Sequence, residues 1–140
     1  MYTYELVVRF NDCDALGHVN NATYYTFFEE ARGELFRIFN PDLNIRNWNL
    51  IVASNACDFL REAVYAQKLT VLTWIGKIGG SSFVVEQALQ DEQGNWVARG
   101  KATLLGFDFE HHQALPLSAE QRQQLEQHRE GPVGVPALRS

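Results

Sequence analysis

From Tyr2 to Phe10 the chain alternates. Tyr2, Tyr4, Leu6, Val8 and Phe10 fall on one face and Thr3, Glu5, Val7 and Arg9 on the other, the period of a half-buried strand. The period then lengthens. After a polar turn closed by Gly17, residues Tyr24, Phe27, Phe28, Ala31, Leu35, Ile38 and Phe39 recur at intervals of three and four. They form one helical stripe, widened by Tyr25 and Phe36, with Glu29, Glu30, Glu34 and Arg37 on the remaining surface. Asn20 or Asn21 supplies an N-cap, whose side-chain oxygen accepts from the first free amides, and Asn40-Pro41 stops the helix. An apolar arc this wide and this aromatic predicts a central helix wrapped by a sheet.

Four further runs, Leu50 to Tyr65, Leu69 to Ile78, Ser82 to Gln90 and Trp96 to Phe109, are rich in Val, Ile, Leu, Thr, Phe and Trp and read as strands. Gly79-Gly80 and the segment Asp91 to Asn95 read as hairpin turns between the last three. Consecutive hairpins make an antiparallel meander. With the first strand, the expectation is an α+β domain: a five-stranded antiparallel sheet wrapped around one long central helix. Ser118-Ala119-Glu120-Gln121 forms a capping box that opens a short helix to about Arg129. That helix carries almost nothing apolar except Leu125, so it is expected at the periphery. Residues 131–140 are expected to be a disordered tail, leaving residues 1–130 as the single domain. Such a sheet leaves its edges open, and pairing them edge to edge in a homodimer would close them, so a homo-oligomer is expected.

Composition narrows the partners. With 12 Lys and Arg against 17 Asp and Glu, the net charge is -5 and no basic stripe offsets it, which argues against nucleic acid. Cys13 and Cys57 do not make a disulfide framework. The start M-Y-T-Y-E-L-V-V-R lacks the basic and apolar regions of a signal peptide, and no apolar run reaches the roughly 18 residues of a membrane span. A soluble, cytoplasmic protein with no membrane partner is the expectation. No G-x-S-x-G elbow, P-loop or dinucleotide fingerprint occurs, which argues against a serine hydrolase, an NTPase or a Rossmann enzyme.

Chemistry concentrates between Arg9 and Arg32. Here a strand, a turn holding Asp12, Asp14 and His18, and a helix N-terminus follow one another. An aspartate in such a turn is most often a solvated or capping residue. Beside a helix N-terminus it is also placed to serve as nucleophile or general base, the free amides stabilising an oxyanion. Periodicity does not choose between Asp12 and Asp14. His18 alone would be a turn residue; beside Asp14 it reads as a proton shuttle or substrate orienter. A metal held by Asp12, Asp14 and His18 would need further ligands. Cys13 is rejected as a nucleophile, because flanking carboxylates disfavour its thiolate. His111 and His112 read as solvated. Arg61, Lys68, Lys77, Arg99 and Lys101 lie on or beside strands, where most such cations only solubilise and a few can meet phosphates.

The run D-C-D-A-L-G-H-V-N-N-A-T-Y-Y-T-F-F-E-E-A-R resembles the signature of the hot dog fold acyl-CoA thioesterases, the 4-hydroxybenzoyl-CoA thioesterase-like family. F-L-R-E-A-V-Y-A-Q-K-L, I-G-G-S-S-F and A-R-G-K-A-T-L-L-G-F-D continue the match in order through nearly the whole chain. The resemblance implies a sheet wrapped around a long helix, dimers or tetramers with active sites at the dimer interface, and hydrolysis of an acyl-CoA to a free acid and CoA without metal or cofactor. It implies that Asp14 is the catalytic carboxylate, that the amide near Asn21 polarises the thioester carbonyl, and that His18 and Asn20 lie close to the reacting group. Tyr25 and Ser82 are implied as substrate contacts, with Lys77, Arg99 and Lys101 as cations for the CoA phosphates. Glu62, Ala66 and Gln67 depart from the Pro, Gly and Asp common in the family. The other readings that remain are a hot dog hydratase or dehydratase acting on acyl thioesters, and a non-catalytic acyl-CoA-binding module.

Overall fold

In the computed structural model, which describes residues 1–139, the alternating and apolar runs form five strands. These are β1 (Tyr2–Val7), β2 (Leu50–Phe59), β3 (Lys68–Ile78), β4 (Ser82–Asp91) and β5 (Trp96–Asp108). They build one antiparallel sheet in the order β1-β3-β4-β5-β2, and a two-residue strand β6 (Gln113–Ala114) pairs with the end of β5. Both predicted hairpins are present. At the first, the Gly79 amide donates to the Ser82 carbonyl at 2.7 Å. At the second, Asp91 Oδ1 accepts from the amides of Gln93 and Asn95, each at 2.9 Å.

Strands β1 and β2 lie at opposite edges, so the chain between them crosses the sheet. It crosses as α1 (Asn21–Ala31) and α2 (Gly33–Phe36). The stripe predicted one helix through Phe39; the structure breaks it at Arg32. The Gln87 side chain, projecting from β4, donates to the Phe28 carbonyl at 2.8 Å, the acceptor that the Arg32 amide would use in an unbroken helix. That amide bonds the Glu29 carbonyl instead, at 3.1 Å, a tight turn that re-aims the chain. Helix α1 lies almost against the sheet, because a Cβ on Gly100 would fall 2.7 Å from the Phe28 ring. Phe27, Phe28, Val71, Leu89 and Ala98 are buried under the first half of this segment, and Leu35, Phe39, Phe83, Val85 and Leu104 under the second. Each large apolar side chain buried there contributes roughly 1.5–3 kcal/mol.

Strand β2 stops at Phe59 rather than reaching Tyr65. The amides of Leu60 and Arg61 both turn onto the Val97 carbonyl, at 2.9 and 3.1 Å, and the chain leaves the sheet. It then props up the turn after β1: the Val19 amide donates to Ala63 and the Ala66 amide to Val8, both at 2.9 Å.

Helix α3 (Ala119–Glu126) opens with the predicted capping box, Ser118 Oγ accepting from the Gln121 amide at 3.0 Å and Gln121 Oε1 from the Ser118 amide at 2.8 Å. Leu125 is its buried residue. Among the described residues, no helix is long and apolar enough to cross a membrane.

The segment expected to be disordered lies instead along the convex face as a strap; Ser140, its last residue, lies outside the described residues. Leu72, Trp74 and Ala88 form an apolar patch on that face, with Trp96 and Val135 packed against it. Gly131 rests on the Trp74 ring so closely that a Cβ would meet it at 2.7 Å. Arg99 Nε donates to the Pro136 carbonyl at 2.8 Å, and the Arg139 amide to Asp58 Oδ2 at 2.6 Å. The strap is held mainly by its backbone, and backbone bonds leave no mark on hydropathy.

Candidate active site

Asp12 and Asp14 are separated by one residue and have opposite fates. Asp12 is buried, and its carboxylate accepts from the Arg9 amide at 2.7 Å and from Arg9 Nη2 at 2.9 Å. Burial pushes its carboxyl up, but the bonds from Arg9 outweigh this and hold it below the ordinary aspartate value. Its carbonyl accepts from the Asn20 amide at 2.9 Å. Asp12 therefore joins the end of β1 to the start of α1. Asp14 is exposed at the tip of the turn. Its amide donates to His18 at 2.9 Å and its carbonyl accepts from Gly17 at 3.0 Å. Its Oδ1 accepts from the Leu16 amide at 2.9 Å, while no hydrogen bond occupies Oδ2 among the described residues. Gly17 closes the turn at φ 82, a conformation that favours glycine.

Asn20 is the N-cap: its Oδ1 accepts from the Ala22 amide at 2.9 Å, and its carbonyl accepts from Thr23. The next amide, that of Asn21, has no acceptor among the described residues. It is a free donor at the positive end of α1. His18 Nε2 lies 3.1 Å from Glu62 Oε2, which orients the ring. Asp14, His18, Asn21, Tyr24, Phe59 and Arg61 share one cleft of about 360 Å³. Tyr24 and Phe59, packed edge to face at 5.2 Å, form its apolar wall. A carboxylate, an oriented imidazole and an unpaired amide thus face a partly apolar space, an arrangement suited to acyl transfer.

Other implied substrate contacts lie elsewhere. Tyr25 is half-buried on α1, one residue beyond the cleft wall. Lys77 and Ser82 sit at the other end of the sheet. From Ala98, the partner of Phe59, to Leu105, the partner of Ser82, β5 advances 7 residues, or about 23 Å. Lys101 pairs in register with Ala56 and Glu86 on β2 and β4. Arg99 is also implied as a phosphate contact. It is 7% exposed, lies 2.9 Å from Glu86 Oε1, donates to the carbonyls of Pro136, Gly100 and Gln87, and covers the Trp74 ring at 5.0 Å. Its charge is already fully used.

The cation that does share the cleft is Arg61, one of the five basic residues on or beside strands but not one of the three implied for the CoA phosphates. Glu62 as the partner of His18 was also missed; its signal was the departure from the family's Pro at that position. Burial, with Asp58 adding to it, pushes the Cys57 thiol up to about 12, so this cysteine stays protonated. Among the described residues the group of side chains arranged to share a cation is Asp108, Glu110 and His111, at the end of the sheet away from Asp14.

The sequence profile of the thioesterase-like superfamily matches residues 8–125. The chain belongs to that superfamily. The long-chain acyl-CoA thioesterase FadM of Escherichia coli is 31% identical over 128 residues, covering 88% of this chain and 96% of that protein. A solved structure of a predicted thioesterase from Bacillus stearothermophilus superposes with a TM-score of 0.90 at 29% identity, covering 94% of this chain and 98% of the other. A thioesterase from Thermus thermophilus, solved with coenzyme A and zinc, reaches 0.80 at 28% identity, with 90% and 92% covered. The chain is a thioester hydrolase with the hot dog fold that its first block implied.

Proposed function

We propose that this thioesterase hydrolyses an acyl-CoA to a free acid and CoA in the cleft at the start of α1. The observation that carries the reading is the unpaired Asn21 amide, opening a helix beside the exposed carboxylate of Asp14. A thioester carbonyl oxygen set on that amide gains a donor that strengthens as negative charge develops, and such a donor is worth roughly a hundred- to a thousandfold in rate. Asp14 then acts on the carbonyl carbon. It either attacks directly, giving a mixed anhydride that water opens, or draws a proton from the attacking water; in both routes CoA leaves as the thiolate and takes up a proton. His18, steadied by Glu62, orients the substrate or carries that proton, and Arg61 is placed for a phosphate. The likeness to FadM and to the coenzyme A complex from Thermus thermophilus supports CoA as the carrier.

The edge of β2, with Ile51 and Val52 exposed, is the surface for pairing with a second copy. Antiparallel two-fold pairing there would bring the far end of the second sheet, the end that carries Lys77 and Ser82, against this cleft. The test is thiol release from short- to long-chain and aromatic acyl-CoAs by wild type and Asp14→Asn. A loss of a hundredfold or more, about 2.7 kcal/mol of barrier, with an unchanged unfolding temperature is expected. If wild type binds these thioesters but cleaves none, CoA is the wrong carrier.

A further inference from the structure

A second cleft opens on the concave side, between the α1–α2 break and the start of β2. It holds about 370 Å³ and is walled by Phe36, Trp48, Ile51 and Leu104, with the Phe36 and Trp48 rings packed edge to face at 5.2 Å. Arg32 lines it and is 1% exposed. Its Nη1 makes one hydrogen bond, to Gln87 Oε1 at 3.2 Å, and its buried Nε has no partner. Among the described residues no carboxylate forms a salt bridge with it. Burial pushes its pKa down, against the pull of Glu29. A buried guanidinium with one neutral hydrogen bond is costly to keep, and an incoming oxygen acceptor would relieve that cost.

The position of the cleft says what could bring that oxygen. Asn21, Tyr25, Glu29, Arg32 and Phe36 follow one another at helical spacing along one flank of the crossing segment. Asn21 and Arg32 are 11 positions apart, about 16 Å along a helix. Both clefts lie beside β2, one at Phe59 and the other at Ile51. An acyl chain anchored at the Asn21 amide and following this flank would pass Tyr25 and reach Arg32. Glu29 and Glu30 stand at the same cleft; their charges oppose a carboxylate or phosphate, whereas a neutral oxygen is admitted.

We propose that this cleft receives the far end of the acyl group and that Arg32 hydrogen-bonds a hydroxyl or keto oxygen there, so that oxygenated acyl thioesters are preferred over plain alkyl ones. The proposal rests on the acyl thioesterase reading and narrows its substrate class. Tyr25 becomes the midpoint of the acyl path.

The experiment compares acyl-CoAs of equal length with and without a distal hydroxyl, together with calorimetric binding of the corresponding free acids. Wild type is expected to favour the hydroxylated member by about tenfold or more in kcat/KM, carried mainly by KM, and the ratio should fall toward one in Arg32→Gln. A second variant, Glu29→Gln with Glu30→Gln, changes only exposed side chains and guards against misfolding of the first; it should bind a carboxylate-ended acid more tightly than wild type does. Equal treatment of both members by wild type, with no gain for the carboxylate-ended acid in the double variant, overturns the proposal. If no CoA thioester is cleaved but the hydroxy acid binds wild type and not Arg32→Gln, CoA is the wrong carrier and the role of Arg32 stands.

Discussion

Each face of the sheet buries an arginine, and the two are treated differently. On the convex face Arg99 has a carboxylate, carbonyl acceptors and an aromatic ring to lie on. On the concave face Arg32 has one amide oxygen and a bare Nε. The first arrangement is complete in itself and serves stability; the second is incomplete and has room beside it. Pairing, rather than burial, separates a structural charge from one kept for a ligand.

The contrast can be put under strain. Arg99→Met should cost the most, about 3 kcal/mol in chemical denaturation, because it leaves Glu86 without its partner; kcat should stay at the wild-type value, and a matching loss of activity would mean that the convex face is not separate from the chemistry. On the concave side Gly100→Ala pushes a methyl into the Phe28 ring. A loss of about 1–3 kcal/mol is expected, here with a fall in kcat, since the displaced helix carries the Asn21 amide with it. Acid should expose the part played by the buried Asp12. The carboxyl of Asp12 titrates lower in the folded protein than in the unfolded chain. Its stabilisation is complete above the ordinary aspartate value, about 3.9, and is lost as the pH falls through the lower folded value. The stability gap between wild type and Asp12→Asn, followed by urea titration, should therefore narrow only in that acid range. The smallest effect is a gain: Ala66 holds φ at 70, and Ala66→Gly should raise stability by about 0.5–1 kcal/mol, the strain relieved less the entropy that glycine adds to the unfolded chain.

Much of this was legible in the chain, for reasons that can be named. The helical stripe, the two hairpins and the capping box at Ser118 are local patterns, and local patterns survive folding. The split between Asp12 and Asp14 was not legible, because it depends on which carboxylate Arg9 reaches. The helix break at Arg32 was hidden for a similar reason: its cause, Gln87, is 55 residues away in sequence. Arg61 and Glu62 fell within the run read as one long strand, and only the turn onto Val97 brings them to the cleft. Resemblance placed Asp14 and Asn21 together; it could not show that Lys77 and Ser82 lie at the other end of the same sheet.

The strap leaves Met1 and Arg139 in different surroundings. The Met1 amino group lies 3.3 Å from His128 Nδ1, and Tyr2 pairs with Thr73, well along β3 from the end at Lys68 where the Asp14 turn is propped. The Arg139 amide is pinned to Asp58, next to Phe59, which walls the cleft. A tether attached at Arg139 would thus begin beside Asp58, one residue from the Phe59 wall of the candidate cleft. For engineering purposes the Met1 side of the fold is the one a tether can load without disturbing the candidate cleft.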